Sequence, residues 1–150
     1  MDVLWQCGKY YKAGVDAFME EQKAKNPSLV ETVKYSDFIG RMELAYAAAD
    51  VVISRSGASS VSELSAAHKA VIFIPSPNVA EDHQTHNAMA LVRKDAAMIV
   101  KDAEAMEKMM PTALELLKEP VKIKTLGENA GKMALPDAAQ KIADEVYKLV

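Results

Sequence analysis

Short runs of consecutive apolar residues recur between longer helical patterns, and this constrains the fold of the chain more than any other feature. Val51–Ser54 (VVIS) and Val71–Ile74 (VIFI) are too short for helices and lack polar alternation. Such runs suit strands covered on both faces, hence parallel strands with helices packed on either side. Val3–Cys7, Val30–Tyr35 (VETVKY) and Ala97–Val100 read as further strands. Tyr10–Lys25, Arg41–Ala49, Ser60–His68 and Gln84–Lys94 read as helices. This alternation predicts an α/β fold built on a parallel sheet. From Asp102 onward the pattern is helical. Pro111 is expected to kink or restart the first of these helices and Pro120 to end it. Pro136 is expected in the first turn of the last helix, which carries Ile142, Val146 and Leu149 on one face. An α/β part over 1–101 is thus followed by a helical part over 102–150.

At 150 residues the chain can bury a sizeable core as one domain, and its net charge of -3 gives no electrostatic reason to expect a nucleic-acid partner. The single cysteine, Cys7, ends an apolar run and reads as a buried thiol in a reducing compartment. No apolar run approaches the ~18–20 residues of a membrane span, and no signal-peptide pattern is present, so a cytoplasmic location is expected.

Chemistry concentrates between Asp50 and Asn87. The strand VVIS runs into Arg55-Ser56-Gly57 and then a helix. Gly57 permits a tight turn and a close backbone approach, and the amides of Ala58, Ser59 and Ser60 would face an anion at the helix N-terminus. Glu63, one turn further, suits a ribose diol, because an ionised acid accepts from paired hydroxyls. The structural alternative is a capping box, Ser60-x-x-Glu63. After the strand VIFI, Gln84 and Asn87 fall three residues apart on one helix face, where their amides can both donate to and accept from sugar hydroxyls. The alternatives are an ordinary polar helix start capped by Asp82, or a metal site from His83 and His86 with Glu81 and Asp82, which lacks a third fixed ligand. Ser56 lies outside a G-x-S-x-G elbow and is not read as a nucleophile. Upstream, Phe38-Ile39-Gly40-Arg41-Met42 either meets a base or covers the end of the sheet.

In order, FIGRM, ADVVISRSGASSVSEL, VIFIPSPNVAEDHQTHNA and LPDAAQKIADEV resemble the C-terminal half of the MurG-type glycosyltransferases, and the resemblance covers essentially the whole chain. It implies a two-domain GT-B architecture whose Rossmann-like C-terminal domain binds the donor, UDP-GlcNAc. The family transfers N-acetylglucosamine to the undecaprenyl-pyrophosphoryl-MurNAc-pentapeptide of peptidoglycan synthesis. On this resemblance Phe38 and Ile39 match the uracil-contacting segment, with the Ile39 backbone in the hydrogen-bonding role and Met42 nearby. Ser56, Gly57, Ala58, Ser59 and Ser60 match the turn that approaches the diphosphate and sugar. Glu63 matches the ribose-binding acid, and Gln84 and Asn87 the GlcNAc-reading amides, with His83 beside them. Ser59-Ser60 stands where many relatives carry Leu-Thr, a change that backbone contacts survive.

The family's C-terminal domain opens with a strand and a Gly-Gly-Ser loop, both absent from this sequence, as is the N-terminal domain with its acceptor surface and proposed general base. The resemblance therefore implies a truncated chain, inactive by itself, with no catalytic residue, cofactor or metal of its own. Its parent would sit peripherally on the cytoplasmic face of the bacterial inner membrane. Without a central first strand, the exposed sheet edge should be closed by another copy, a rearranged strand or a covering segment. Two other readings differ in class: a stand-alone nucleotide-sugar-binding subunit of a two-chain GlcNAc transferase, and a non-catalytic Rossmann-like domain in which Glu63 only caps a helix.

Overall fold

A computed structural model describes residues 1–78 and 82–149. They form two compact units, Met1–Ala48 and a second beginning at Ala49.

The first unit contains β1 (Val3–Gln6), α1 (Lys12–Lys25), α2 (Pro27–Thr32), β2 (Val33–Ser36) and α3 (Met42–Ala48). β1 and β2 pair in parallel, from Val3 opposite Val33 to Gln6 opposite Ser36. A parallel pair requires a crossover, supplied here by α1 and α2. Cys7, Val15 and Met19 form the core, with Val30, Val33 and Tyr35 packed against it. Cys7 is a buried free thiol, as expected, and its Sγ donates to the Ser36 carbonyl at 3.3 Å.

The expected strand over Val30–Tyr35 is half helix. Pro27 occupies the first turn of α2, where its fixed φ favours a helix, and the Val33 amide donates to Leu29 O. Thr32 Oγ1 also donates to the carbonyls of Ser28 and Leu29, so the β-branched threonine satisfies itself locally.

Tyr35 also ties its strand to α1. Its hydroxyl donates to Asp16 Oδ1 at 2.8 Å, and Lys12 pairs with the same carboxylate at 2.5 Å while lying over the Tyr35 ring. The Lys12 ammonium first and the Tyr35 hydroxyl second hold Asp16 below its ordinary 3.8. Asp16 hydrogen bonding raises both Lys12 and Tyr35. A depressed carboxylate contributes stability above its unfolded pKa and loses it as pH falls through the folded value. The two raised groups contribute below about pH 10 and lose that contribution above it. Urea midpoints should therefore fall in acid less steeply for Asp16→Asn than for the wild type. Parallel acid limbs would show that the cluster carries no linkage.

The second unit contains β3 (Val51–Ser54), α4 (Ala58–Ala66), β4 (Ala70–Phe73), α5 (His83–Val92), β5 (Met98–Ile99), a 3-10 turn (Asp102–Glu104), α6 (Ala105–Leu116), α7 (Pro120–Lys132) and α8 (Ala138–Tyr147). The sheet order is β3-β4-β5, all parallel. Every residue of the central strand β4 is buried, as its continuous apolar run predicts. β3, equally apolar, is only half-buried, because it pairs on one side alone. Among the described residues β1 pairs only with β2 and β3 only with β4, so each keeps an open edge and no rearranged strand fills it. The α/β class with parallel strands holds, in two sheets.

Helix α7 packs on β4 and α4, and Leu64, Phe73, Ile72, Leu116 and Leu126 are fully buried, with Ile72, Leu116 and Leu126 in one core cluster. Each such side chain contributes about 1.5–3 kcal/mol relative to exposure. Pro111 does not restart α6, which runs through it. Glu107 and Pro111 are both exposed, so the carbonyl left without a donor faces water, while Ala113 and Leu116 anchor the following turn. α6 stops at Leu116, short of Pro120, which opens α7 at N1. Pro136 lies just before α8, whose N-cap is Asp137, and no α8 residue is buried: Ile142 and Val146 are exposed, as is Leu149 beyond the helix end. No helix among the described residues is long and apolar enough to cross a membrane.

Candidate functional site

The turn after β3 is built differently from what a glycine there first suggests. Gly57 has φ -61° and ψ 151°, an extended conformation open to any residue, so no tight turn demands it. A Cβ placed on Gly57 meets nothing within 4 Å. Its missing side chain keeps open the space beside the start of α4.

Gly57 is the N-cap of α4, and no side chain caps the helix. The first intrahelical bond runs from the Val61 amide to Gly57 O at 2.9 Å. The amides of Ala58, Ser59 and Ser60 therefore precede the hydrogen-bonded ladder, at the positive end of the helix dipole. Ala58 and Ser59 are exposed, and Gly57 and Ser60 half-buried.

This register removes the capping box. Ser60 is the third helical residue and Glu63 the sixth, whereas a box needs its serine at the N-cap and its acid at N3. Glu63 is exposed and shares a helix face with Ser59 and Ser60. Cα–Cβ bonds on a helix tilt toward its N-terminus, so Glu63 stands one turn along from the first amides of α4 on their side of the helix.

Behind the turn, Ser56 is fully buried and bound to the start of α5. Its amide donates to Gln84 Oε1 at 3.3 Å and its Oγ donates to Gln84 O at 2.8 Å. Asn87 Nδ2 donates to Ser56 O at 3.1 Å, and the Ser76 amide donates to the same Gln84 Oε1 at 3.0 Å. The structure thus brings Ser56, Gln84 and Asn87 together. It also turns Ser56 away from solvent and commits part of each amide to the protein.

Arg55, within the same motif, has a structural role. Its Nη1 donates to the carbonyls of Ile74 and Pro75 at 3.1 and 3.3 Å and pairs with Asp102. One guanidinium so joins the ends of β3, β4 and β5. A charged residue directly after an apolar strand is the signal in the sequence, whereas its partner Asp102, 47 residues on, carries none.

His83 opens α5 and is exposed, as is His86. Asp82 is the N-cap of α5 but makes no side-chain cap bond, its backbone being left-handed at φ 54°. Glu81 lies outside the described residues, and among those described no three His, Cys, Asp or Glu side chains are placed to hold a metal. Two surface clefts flank α7, one including Asp95 and Thr125 and the other Asp50 and His68, and neither is lined by a predicted site residue.

Phe38, Ile39 and Met42 belong to the first unit. Phe38 is exposed and Ile39 and Met42 are half-buried. The Ile39 amide donates to Gln6 Oε1 at 2.8 Å, so a carboxamide oxygen from the end of β1 occupies the amide expected to meet a base. Gln6 is exposed, and a ligand carbonyl can replace its oxygen.

A family model for the glycosyltransferase family 28 C-terminal domain matches residues 1–142. A UDP-N-acetylglucosamine--N-acetylmuramyl-(pentapeptide) pyrophosphoryl-undecaprenol N-acetylglucosamine transferase of Bacteroides thetaiotaomicron is 52% identical over 97% of this chain and 38% of its own length. The transferase of the same name from Parabacteroides distasonis is 44% identical over 100% of the chain and 39% of its own length. The crystal structure of Acinetobacter baumannii MurG matches with a TM-score of 0.78 at 27% identity, covering 99% of this chain and 41% of that one. The chain spans about two fifths of the length of these relatives.

Proposed function

The chain belongs to the glycosyltransferase family 28 C-terminal domain family, and on that premise we propose that it is the donor-binding part of an inverting GlcNAc transferase. The whole enzyme moves N-acetylglucosamine from UDP-GlcNAc to the undecaprenyl-pyrophosphoryl-MurNAc-pentapeptide of peptidoglycan synthesis. The observation that carries this reading is the uncapped start of α4, with Glu63 on the face of Ser59 and Ser60.

In this reading the acceptor hydroxyl attacks the anomeric carbon of GlcNAc. A carbon–oxygen bond forms on one face as the bond to the diphosphate breaks on the other, which inverts the configuration. UDP leaves with added negative charge, and the amides of Ala58, Ser59 and Ser60 offset it without reorganising. Glu63 accepts from the ribose hydroxyls, and Gln84 and Asn87 orient the sugar. By the family resemblance alone, Phe38, Ile39 and Met42 of the first unit match the segment that contacts uracil. No residue of this chain is assigned as the general base. The lipid-linked acceptor, and a peripheral place on the cytoplasmic face of the bacterial inner membrane, belong to the rest of the enzyme.

Gly57 offers a direct test. Serine is a favoured N-cap whose hydroxyl would bond an amide of the first turn, so Gly57→Ser should raise stability by a few tenths of a kcal/mol, on the order of the measured cap difference. The same hydroxyl competes for the amides that the diphosphate needs. Calorimetric titration of the full-length enzyme should show UDP-GlcNAc affinity reduced about tenfold, the worth of one charge-assisted bond. A more stable variant with unchanged affinity would remove these amides from the donor site.

A further inference from the structure

The contacts around Ser56 carry a division of labour within Gln84. Its Oε1 accepts two backbone amides, Ser56 from the turn after β3 and Ser76 from the loop after β4. A carboxamide oxygen has two lone pairs, so this acceptor is saturated. Ser56 is buried, and its amide, hydroxyl and carbonyl all engage Gln84 or Asn87. The residue immediately before Gly57 and the uncapped amides is therefore held by α5. Gln84 Nε2 donates to nothing among the described residues, and Asn87 Oδ1 accepts from nothing among them.

We propose that Gln84 is a positioning residue as well as a ligand contact: its oxygen latches the two strand-end loops together and so aims the Ala58–Ser60 amides, while only its nitrogen reads the sugar. This rests on the donor-site reading above. A polarity follows. Gln84 gives hydrogen bonds to the lone pairs of one sugar hydroxyl, and Asn87 Oδ1 takes the hydrogen of another.

The latch affects the diphosphate, the nitrogen only the sugar, so two ligands separate them. Gln84→Glu keeps an acceptor for both amides and loses the donor. Gln84→Met loses both. In the full-length enzyme, Gln84→Glu should bind UDP within about threefold of wild type while losing the gain in affinity that the GlcNAc moiety provides. Gln84→Met should lose that gain and also bind UDP about tenfold more weakly. Amide hydrogen exchange on the unliganded enzyme reads the latch without any ligand. Ser56 and Ser76 should exchange at least about tenfold faster in Gln84→Met and at the wild-type rate in Gln84→Glu, with Ile72 and Phe73 protected in both as a check on folding. If Gln84→Met does not fold, Ser56→Ala, which removes only the hydroxyl bond to Gln84 O, should still speed exchange at Ser76, whose amide shares Gln84 Oε1 with the amide of position 56. Unchanged exchange at Ser56 and Ser76 in Gln84→Met, or UDP binding equal to wild type, overturns the latch. A wild-type enzyme that binds neither UDP nor UDP-GlcNAc overturns the donor-site reading instead, and the exchange result then decides the latch alone.

Discussion

Glu63→Ala in the full-length enzyme should weaken UDP-GlcNAc binding by about 10- to 100-fold, the worth of a carboxylate accepting two hydroxyls. Any accompanying change in stability should stay within about 1 kcal/mol, the usual worth of an exposed polar contact. Glu63 is exposed and sits at the sixth position of α4, too far along for a capping box, and alanine is at least as good a helix former there. The loss should also be specific to the ribose. Wild type should prefer UDP to its 2′-deoxy analogue, whereas Glu63→Ala should bind the two alike, as titration calorimetry can measure. If the alanine variant keeps full affinity and full discrimination, the ribose is held elsewhere. If it instead melts early, Glu63 is structural.

Gly127→Ala should destabilise the second unit by about 1–3 kcal/mol, even though the same change usually favours a helix by up to about 1 kcal/mol. A Cβ at Gly127 would lie 2.4 Å from the carbonyl oxygen of His68 and 3.3 Å from its carbon. That carbonyl cannot swing aside. His68 ends α4 in a left-handed conformation, φ 53°, with its amide bonded to Ser65 O and the next amide to Leu64 O. Overpacking against fixed backbone outweighs propensity, and α7 must shift on β4. Gly14 in α1 is the control, since a Cβ there meets nothing within 4 Å. Gly14→Ala should therefore be neutral or stabilising by up to about 1 kcal/mol. Thermal unfolding of the two variants should move in opposite directions. A Gly127→Ala protein as stable as wild type would mean that α7 does not approach His68 this closely.

β4 was legible because four consecutive apolar residues can be satisfied only by cover on both faces. β3 carries an equally apolar run and is only half-buried. Periodicity reports what a strand could bury, whereas a missing neighbour is a property of the sheet. VETVKY alternates like a strand, yet its first half is helical, since Pro27 and the Thr32 hydroxyl act locally against the alternation. The helix starts differ from the sequence reading by one or two residues, later for α1 and α3 and earlier for α4 and α5. α4 begins two residues before Ser60, and that small difference moves Glu63 out of any capping box.

The sequence by itself determined the chemical parts of the site. Residue type and order identify a small-residue turn at a helix start, an acid after it, and two amides three apart on the next helix, because donors, acceptors and backbone freedom belong to residue types. Only the tertiary structure decided which atoms of those residues remain available. Ser56 reads as part of a ligand turn and is buried; Gln84 reads as a free amide and spends its oxygen on two loops; the Ile39 amide is held by Gln6. Each of these contacts joins residues 28, 8 or 33 apart in the chain. A buried polar atom must find a partner, and packing rather than local sequence decides which one is within reach.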